Sequence, residues 1–207
     1  MKDAHPRDAT TPAAEPAGPT RRMKPWETIL VFGILLFVLQ GVAAFLVEEY
    51  SGGCMFIIPA YFYALVVILP VLLVRRFGVA AAIYAPAAIL GLPMLYYFEW
   101  ITERHYVGVW APFVWSLLFV AYGLSADLTY RLLPATVSER WRAILSGAVL
   151  GGVTFGLTLL GLTTLYVPSA REGHLLFFTN GIYFSLPWMV ITSAFGGYTA
   201  YAISRNV

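Results

Sequence analysis

The chain has 207 residues, of which 59% are hydrophobic and only 12% are charged, and its formal net charge is +2. Because soluble domains carry roughly 25% charged residues, this composition excludes an ordinary soluble globule and predicts an all-α, polytopic membrane protein. The small net charge gives no indication of a nucleic-acid partner, and the single cysteine, Cys54, excludes an intramolecular disulfide and a CxxC metal or redox motif.

The N-terminal segment, residues 1–24, is rich in Ala, Pro and Thr and has almost no large apolar side chain before Met23. Such a segment buries too little surface to offset its ordering entropy, so it is predicted to be a disordered cytoplasmic tail. Arg21 and Arg22 resemble a twin-arginine export signal. The apolar run that follows is as long as a full membrane span and has no cleavage site, so we interpret the arginines as anchors at a helix end.

Six apolar stretches follow the tail, each close to the roughly 20 residues that a helix needs to cross a hydrocarbon core. They cover residues 28–47, 56–74, 77–98, 109–130, 143–166 and 175–203. Residues 25–207 are therefore predicted to form one domain of six transmembrane helices joined by short loops. Internal prolines predict that helices 2 and 3 are kinked; these are Pro59, Pro70, Pro86 and Pro93.

Basic residues are distributed unevenly between the two ends of these stretches. In an alternating map, 11 of the 13 Lys and Arg residues fall at one end, and only Arg104 and Arg171 fall at the other. By the positive-inside rule, both termini are predicted to be cytoplasmic, in a multi-pass protein of the cell (plasma) membrane surrounded by the lipid bilayer.

The predicted outer face is most aromatic between the third and fourth stretches, and it also collects acidic residues. Carboxylates beside aromatic rings attract cationic or aromatic ligands through Coulomb and cation–π interactions. This pattern predicts a ligand cup formed by Glu99, Trp100, Glu103, Trp110 and Trp115. Trp and Tyr at this level are also typical of an interfacial belt, and both interpretations stay open. A further outer loop is expected at 167–174; His105 and His174 show no metal-ligand spacing, so no bound metal is expected.

Asp127 is the only acidic residue well inside a predicted span. Arg131 follows four residues later on the same helix face, so a local ion pair is the favoured interpretation. A contact with a cytoplasmic partner and a proton or ion site stay open as alternatives, because ionisable groups at membrane depth are costly and often functional.

Span five carries overlapping small-xxx-small patterns formed by Gly147, Gly151, Gly152 and Gly156. Small residues four apart let a neighbouring helix approach closely in lipid. Packing within the chain is favoured, and contact with another subunit stays open. The predicted partner-contact residues are Asp127, Arg131, Gly147, Gly151, Gly152 and Gly156.

The overall layout resembles that of a known family, and two segments add to the resemblance: GLSADLTYRL in span four and GGYTAYAISR in span six. Six short-looped spans with both ends inside, an aromatic outer face and glycine-rich last helices resemble the substrate-capture component of the energy-coupling-factor (ECF) vitamin transporters. The resemblance covers residues 28–205 as an architecture. It implies that the chain binds a vitamin or its precursor from outside, while a membrane coupling subunit and two cytoplasmic ATPases drive release inward.

An alternative resemblance is to the integral subunits of copper-dependent ammonia or methane monooxygenases, on VWAP at 109–112 and YVPSA at 166–170. A third interpretation is a membrane scaffold with no ligand. Nucleotide loops, dinucleotide fingerprints and catalytic constellations are absent from the sequence, so the chain is expected to have no cofactor and no catalytic residue of its own. It is expected to work with other membrane subunits, most simply as the ligand-binding component of an uptake transporter.

Overall fold

The computed structural model describes residues 24–50, 57–101 and 107–206; side chains are described for these except at 44–50, 57, 98–101 and 169–184. Six helices account for the regular secondary structure of this part of the chain. They are α1 (Pro25–Tyr50), α2 (Ile57–Val74), α3 (Val79–Ile101), α4 (Ala111–Leu132), α5 (Glu139–Leu165) and α6 (Pro168–Ser204). The all-α prediction is confirmed for these residues. The predicted tail at 1–24 falls, apart from Lys24, outside them.

Among the described residues, four helices are long and apolar enough to cross a membrane, which indicates a membrane protein. These segments are Pro25–Ala43, Val79–Tyr97, Ala111–Leu132 and Glu139–Leu165, with mean hydropathies of 1.9, 1.7, 1.4 and 1.9. The segment Ile58–Val74 of α2 is apolar but shorter. Large apolar side chains on α1 remain exposed, as a lipid-facing helix requires; they include Leu30, Val31, Ile34, Leu35, Val38 and Val42.

Proline explains where two of the helices begin and end. Leu133 precedes Pro134 and is extended (φ −64°, ψ 131°), which is the conformation favoured before a proline. Helix α4 therefore ends at Leu132. Pro168 occupies the first turn of α6, where its missing N–H costs nothing. Prolines also lie inside α2 (Pro70) and α3 (Pro86 and Pro93), and the kinks expected there stay a prediction.

The predicted loop at 167–174 is wrong. Helix α6 begins at Pro168, so Arg171, Glu172 and His174 lie on helical backbone, and only Tyr166 and Val167 connect α5 to α6. The charged residues had indicated a loop, but Ala, Arg and Glu are good helix formers, and polarity alone does not end a helix. The resulting 37-residue helix is about 55 Å long, well beyond the roughly 30 Å of a hydrocarbon core.

The helices form one bundle in which α6 packs mainly against α5 and α2, and α3 packs against α4 and α1. Its core contains Leu36, Val67, Ile68, Ile83, Tyr84 and Leu150, all almost fully buried. Helices α1, α3 and α5 begin at the end where α2, α4 and α6 finish. We call this the basic end, because it carries Lys24, Arg75, Arg76, Arg131, Arg140, Arg142 and Arg205. The opposite end is called the far end.

Candidate functional site

At the far end, two hydrogen bonds fix the segment that leads into α4. The N–H of Val107 donates to the carbonyl of Leu165 at 2.8 Å, and the hydroxyl of Tyr96 donates to the carbonyl of Val109 at 2.7 Å. Gly108 lies between them with φ +107°, a conformation that side-chain-bearing residues rarely adopt. Segment 107–110 is therefore held in one position between α3 and α5.

The two described tryptophans of the predicted ligand cup occupy different environments. Trp110 is 75% exposed at the start of α4, and its ring meets Phe113 edge-on at 6.4 Å. Trp115 is 8% exposed and lies inside the bundle, where Gly161 leaves space for its ring. Its other ring neighbours are Phe119 at 6.1 Å and Tyr166 at 5.9 Å. Trp110 can therefore contact a ligand at the surface, whereas Trp115 is part of the packed interior of the bundle.

The acidic residues of the predicted cup are only partly placed. Glu99 and Trp100 lie on the last turn of α3, where side chains are not described, and Glu103 lies outside the described residues. Tyr97 is 58% exposed on the same helix end. The structure thus brings the end of α3 and the start of α4 together at the far end, and the contribution of Glu99, Trp100 and Glu103 stays a prediction.

The bundle also contains buried tyrosines that were not predicted from the sequence. Tyr84 on α3 and Tyr122 on α4 are 1% and 3% exposed, and their rings meet edge-on at 6.0 Å. The hydroxyl of Tyr122 shares a hydrogen bond of 3.1 Å with that of Thr158 on α5. Their position in the middle of apolar stretches was the available signal, because a buried tyrosine needs a partner for its hydroxyl. This contact links α4 to α5 below Trp115.

At the basic end, Asp127 is 3% exposed, and its carboxylate contacts the backbone of α3. Its Oδ2 accepts a hydrogen bond of 3.0 Å from the N–H of Ala81, in the first turn of α3. Among the described residues it has no ion pair with Arg131, so the favoured local pair is wrong. The backbone N–H groups at a helix start carry partial positive charge and bind a buried carboxylate well. The prediction that Asp127 contacts a partner stays untested.

The arginines near Asp127 stack on aromatic rings. Arg131 lies over Phe77 with its guanidinium carbon 5.6 Å from the ring centre. Arg140 lies over Tyr198 at 5.0 Å. Arg131 and Arg140 are both exposed, so they remain available to a ligand or a partner.

Arg142 has a structural role at the same end. It donates to the carbonyls of Pro134 at 2.7 Å and Val137 at 3.2 Å, which fixes the α4–α5 loop. Its guanidinium also lies 6.0 Å from the ring centre of Tyr130. The guanidinium of Arg142 therefore makes contacts within the chain that stabilise the fold.

The four glycines of the small-xxx-small patterns in α5 divide into two pairs. A Cβ on Gly147 would collide with the carbonyl of Ser193, and one on Gly151 would lie 2.6 Å from the carbonyl of Met189, so both face α6. Packing within the chain, the favoured interpretation, is confirmed for these two. A Cβ on Gly152 would make an ordinary contact of 3.6 Å with Val190, and one on Gly156 would meet none of the described atoms within 4 Å. Gly156 is thus the member of the set that is free to face another subunit.

Comparison of the chain with protein-family models, curated proteins and solved structures finds no match in any of the three. The resemblance to substrate-capture components therefore stays a prediction. Three described surfaces of the bundle are accessible to a ligand or a partner: the aromatic far end around Trp110, the arginines of the basic end, and the side of α5 at Gly156.

Proposed function

We propose that the chain is a six-span subunit of the cell membrane whose basic end faces the cytoplasm. The described part of that end holds seven Lys and Arg residues against three acidic residues, Glu27, Asp127 and Glu139, and Asp127 is buried. Such an excess of positive charge is typical of the cytoplasmic side. The exposed apolar face of α1 supports a position in lipid.

We further propose that the far end captures a small cationic or aromatic molecule, such as a vitamin or its precursor, from outside. The observation that carries this proposal is Trp110, whose ring is 75% exposed on a segment held by two hydrogen bonds. An exposed indole on a backbone segment that is already anchored offers stacking and cation–π contact with a smaller entropy cost than a free loop. In this proposal, the carboxylates of Glu99 and Glu103 attract the positive charge of the ligand.

In this proposal the chain works with other membrane subunits. Gly156 and the exposed face of α1 are two described surfaces on which another helix has room to pack. Gly147 and Gly151 are already occupied by α6. The proposed partner surface therefore centres on the far half of α5 rather than on the whole glycine stripe.

Tryptophan fluorescence of the purified chain tests ligand capture, with thiamine as the cationic aromatic probe. Binding to Trp110 is expected to quench the emission, and Trp110→Ala is expected to weaken binding by about 1–2 kcal/mol because the cation–π contact is lost. Glu99→Gln is expected to weaken it by a similar amount while leaving neutral aromatic probes unaffected.

Trp141→Ala provides the matched control, because Trp141 is also exposed (55%) but lies at the basic end. This variant is expected to bind as the wild type does. Equal losses in Trp110→Ala and Trp141→Ala, or no quenching by thiamine or other cationic aromatic vitamins and amines, would show that the far end is not the capture site.

A further inference from the structure

A lateral groove with a volume of about 590 Å³ runs between α2 and α6 on the outside of the bundle. Its lining residues are Ile58, Tyr61, Thr192, Phe195, Tyr198 and Thr199. Thr192, Phe195 and Thr199 follow the i, i+3, i+7 spacing of one helix face, so the groove extends along α6 for about two turns. The groove opens on the face of the bundle where lipid is expected.

Three of the four hydroxyl groups that line this groove, those of Tyr61, Thr192 and Thr199, form hydrogen bonds within the chain. The hydroxyl of Tyr61 donates to Oγ1 of Thr199 at 3.1 Å, and the hydroxyl of Thr199 donates to the carbonyl of Phe195 at 3.0 Å. The hydroxyl of Thr192 donates to the carbonyl of Trp188 at 2.8 Å. A groove in which most hydroxyl donors are used internally favours an apolar occupant, such as an acyl chain, over a polar solute.

A positive charge stands at the margin of the groove. The ring of Tyr198 lines the groove and also supports the guanidinium of Arg140, 5.0 Å from the ring centre. Within the described residues no carboxylate lies close enough to pair with Arg140, since the neighbouring Glu139 pairs with Arg75 at 3.1 Å. Arg140 is the second residue of α5 and lies at the basic end, the level at which lipid headgroups lie.

We propose that this groove binds one anionic glycerophospholipid of the surrounding leaflet. An acyl chain lies along Thr192, Phe195 and Thr199, and the phosphate is bound by Arg140. Guanidinium groups bind phosphate oxygens through paired N–H donors, and basic sites between transmembrane helices are suited to anionic headgroups. The proposal concerns the α2–α6 face and is independent of ligand capture at the far end.

Native mass spectrometry of the full chain in mild detergent tests this inference, with dioleoyl phosphatidylglycerol as the anionic probe and dioleoyl phosphatidylcholine as the zwitterionic one. The wild type is expected to retain one phosphatidylglycerol about fivefold more tightly than phosphatidylcholine. Arg140→Gln is expected to abolish this preference, and Arg140→Lys to keep most of it. Thr192→Trp fills the groove from its half-buried lining and is expected to weaken retention of both lipids.

Arg131→Gln is the matched control for lipid retention, because Arg131 also stacks on an exposed ring at the basic end but lies away from the groove. Equal loss of preference in Arg131→Gln and Arg140→Gln would overturn the proposal in favour of diffuse charge attraction. Unchanged retention in Thr192→Trp, or displacement of the lipid by inorganic phosphate alone, would overturn it as well. Circular dichroism of each variant checks that the helices are intact.

Discussion

The carboxylate of Asp127 in α4 accepts a hydrogen bond of 3.0 Å from the backbone N–H of Ala81 in α3. One turn earlier on α4, Gly123 allows the backbone of Ala80 to approach so closely that a Cβ would collide with its carbonyl. The two positions are four residues apart and therefore share one helix face. Together they hold the beginning of α3 against the end of α4.

Replacement of Asp127 by Ala is expected to destabilise the bundle by about 1–3 kcal/mol, because the N–H of Ala81 loses its buried acceptor. Asp127→Asn keeps an acceptor oxygen and is expected to lose less. Thermal unfolding in detergent, followed by circular dichroism, measures the difference.

Ser125→Ala is the control for this pair, since the Ser125 hydroxyl donates only to the carbonyl of Tyr122 within its own helix. It is expected to unfold near the wild-type temperature. An Asp127→Ala protein as stable as the wild type would show that the contact with Ala81 contributes nothing.

Gly151→Ala is expected to destabilise the α5–α6 contact by about 1–3 kcal/mol, because the new methyl group would lie 2.6 Å from the carbonyl of Met189. Gly156→Ala on the same helix meets open space and is expected to be neutral or slightly stabilising. The comparison requires only the unfolding temperatures of the two variants in one detergent.

Gly156→Leu extends this comparison from stability to assembly. A Cβ at position 156 meets no described atom within 4 Å, so the fold is expected to persist while any subunit packed on this side of α5 is displaced. Pulldown in mild detergent from native membranes measures the partner content. Unchanged partners with Gly156→Leu would place the subunit interface elsewhere.

The helices of the bundle were predictable because apolar length is a local property. The stretch 56–74 anticipates α2, and 109–130 anticipates α4, to within two residues at each end. The glycines of α5 were also informative, since a small-residue pattern predicts close approach whatever the partner helix is. These predictions required only neighbouring residues along the sequence.

The contacts that position the candidate sites were not predictable in the same way. Asp127 pairs with Ala81, 46 positions away, and the sequence offered only Arg131 as a visible local partner. Trp110 and Trp115 look equivalent in the sequence. Only Trp115 is buried in the core, where the absence of a side chain at Gly161 leaves room for its ring. Such choices depend on tertiary packing, which no local pattern encodes.

Arg75, which follows α2, has φ 55°, a left-handed conformation that costs a non-glycine residue about 1 kcal/mol. Its guanidinium pairs with Glu139 at 3.1 Å, but its side chain is 71% exposed, so the pair contributes little. Arg75→Gly is therefore expected to be more stable than Arg75→Ala by about 1 kcal/mol, since both lose the pair and only glycine relieves the backbone. Chemical unfolding of both variants decides this, and an alanine variant equal to the glycine variant would contradict it.

The proposed topology places the C-terminus and the α4–α5 loop on the cytoplasmic side, and the segment linking α3 to α4 outside. A reporter that is active only outside the cytoplasm is expected to be silent after Val207 and within 134–137, and active when inserted within 102–106. Comparison of these insertion sites distinguishes a reversed orientation from a different number of membrane spans. Activity at Val207 and within 134–137, with silence within 102–106, would reverse the orientation. Activity at Val207 alone among the basic-end positions would mean that α5 and α6 together cross the membrane an odd number of times, and six spans would no longer describe the chain.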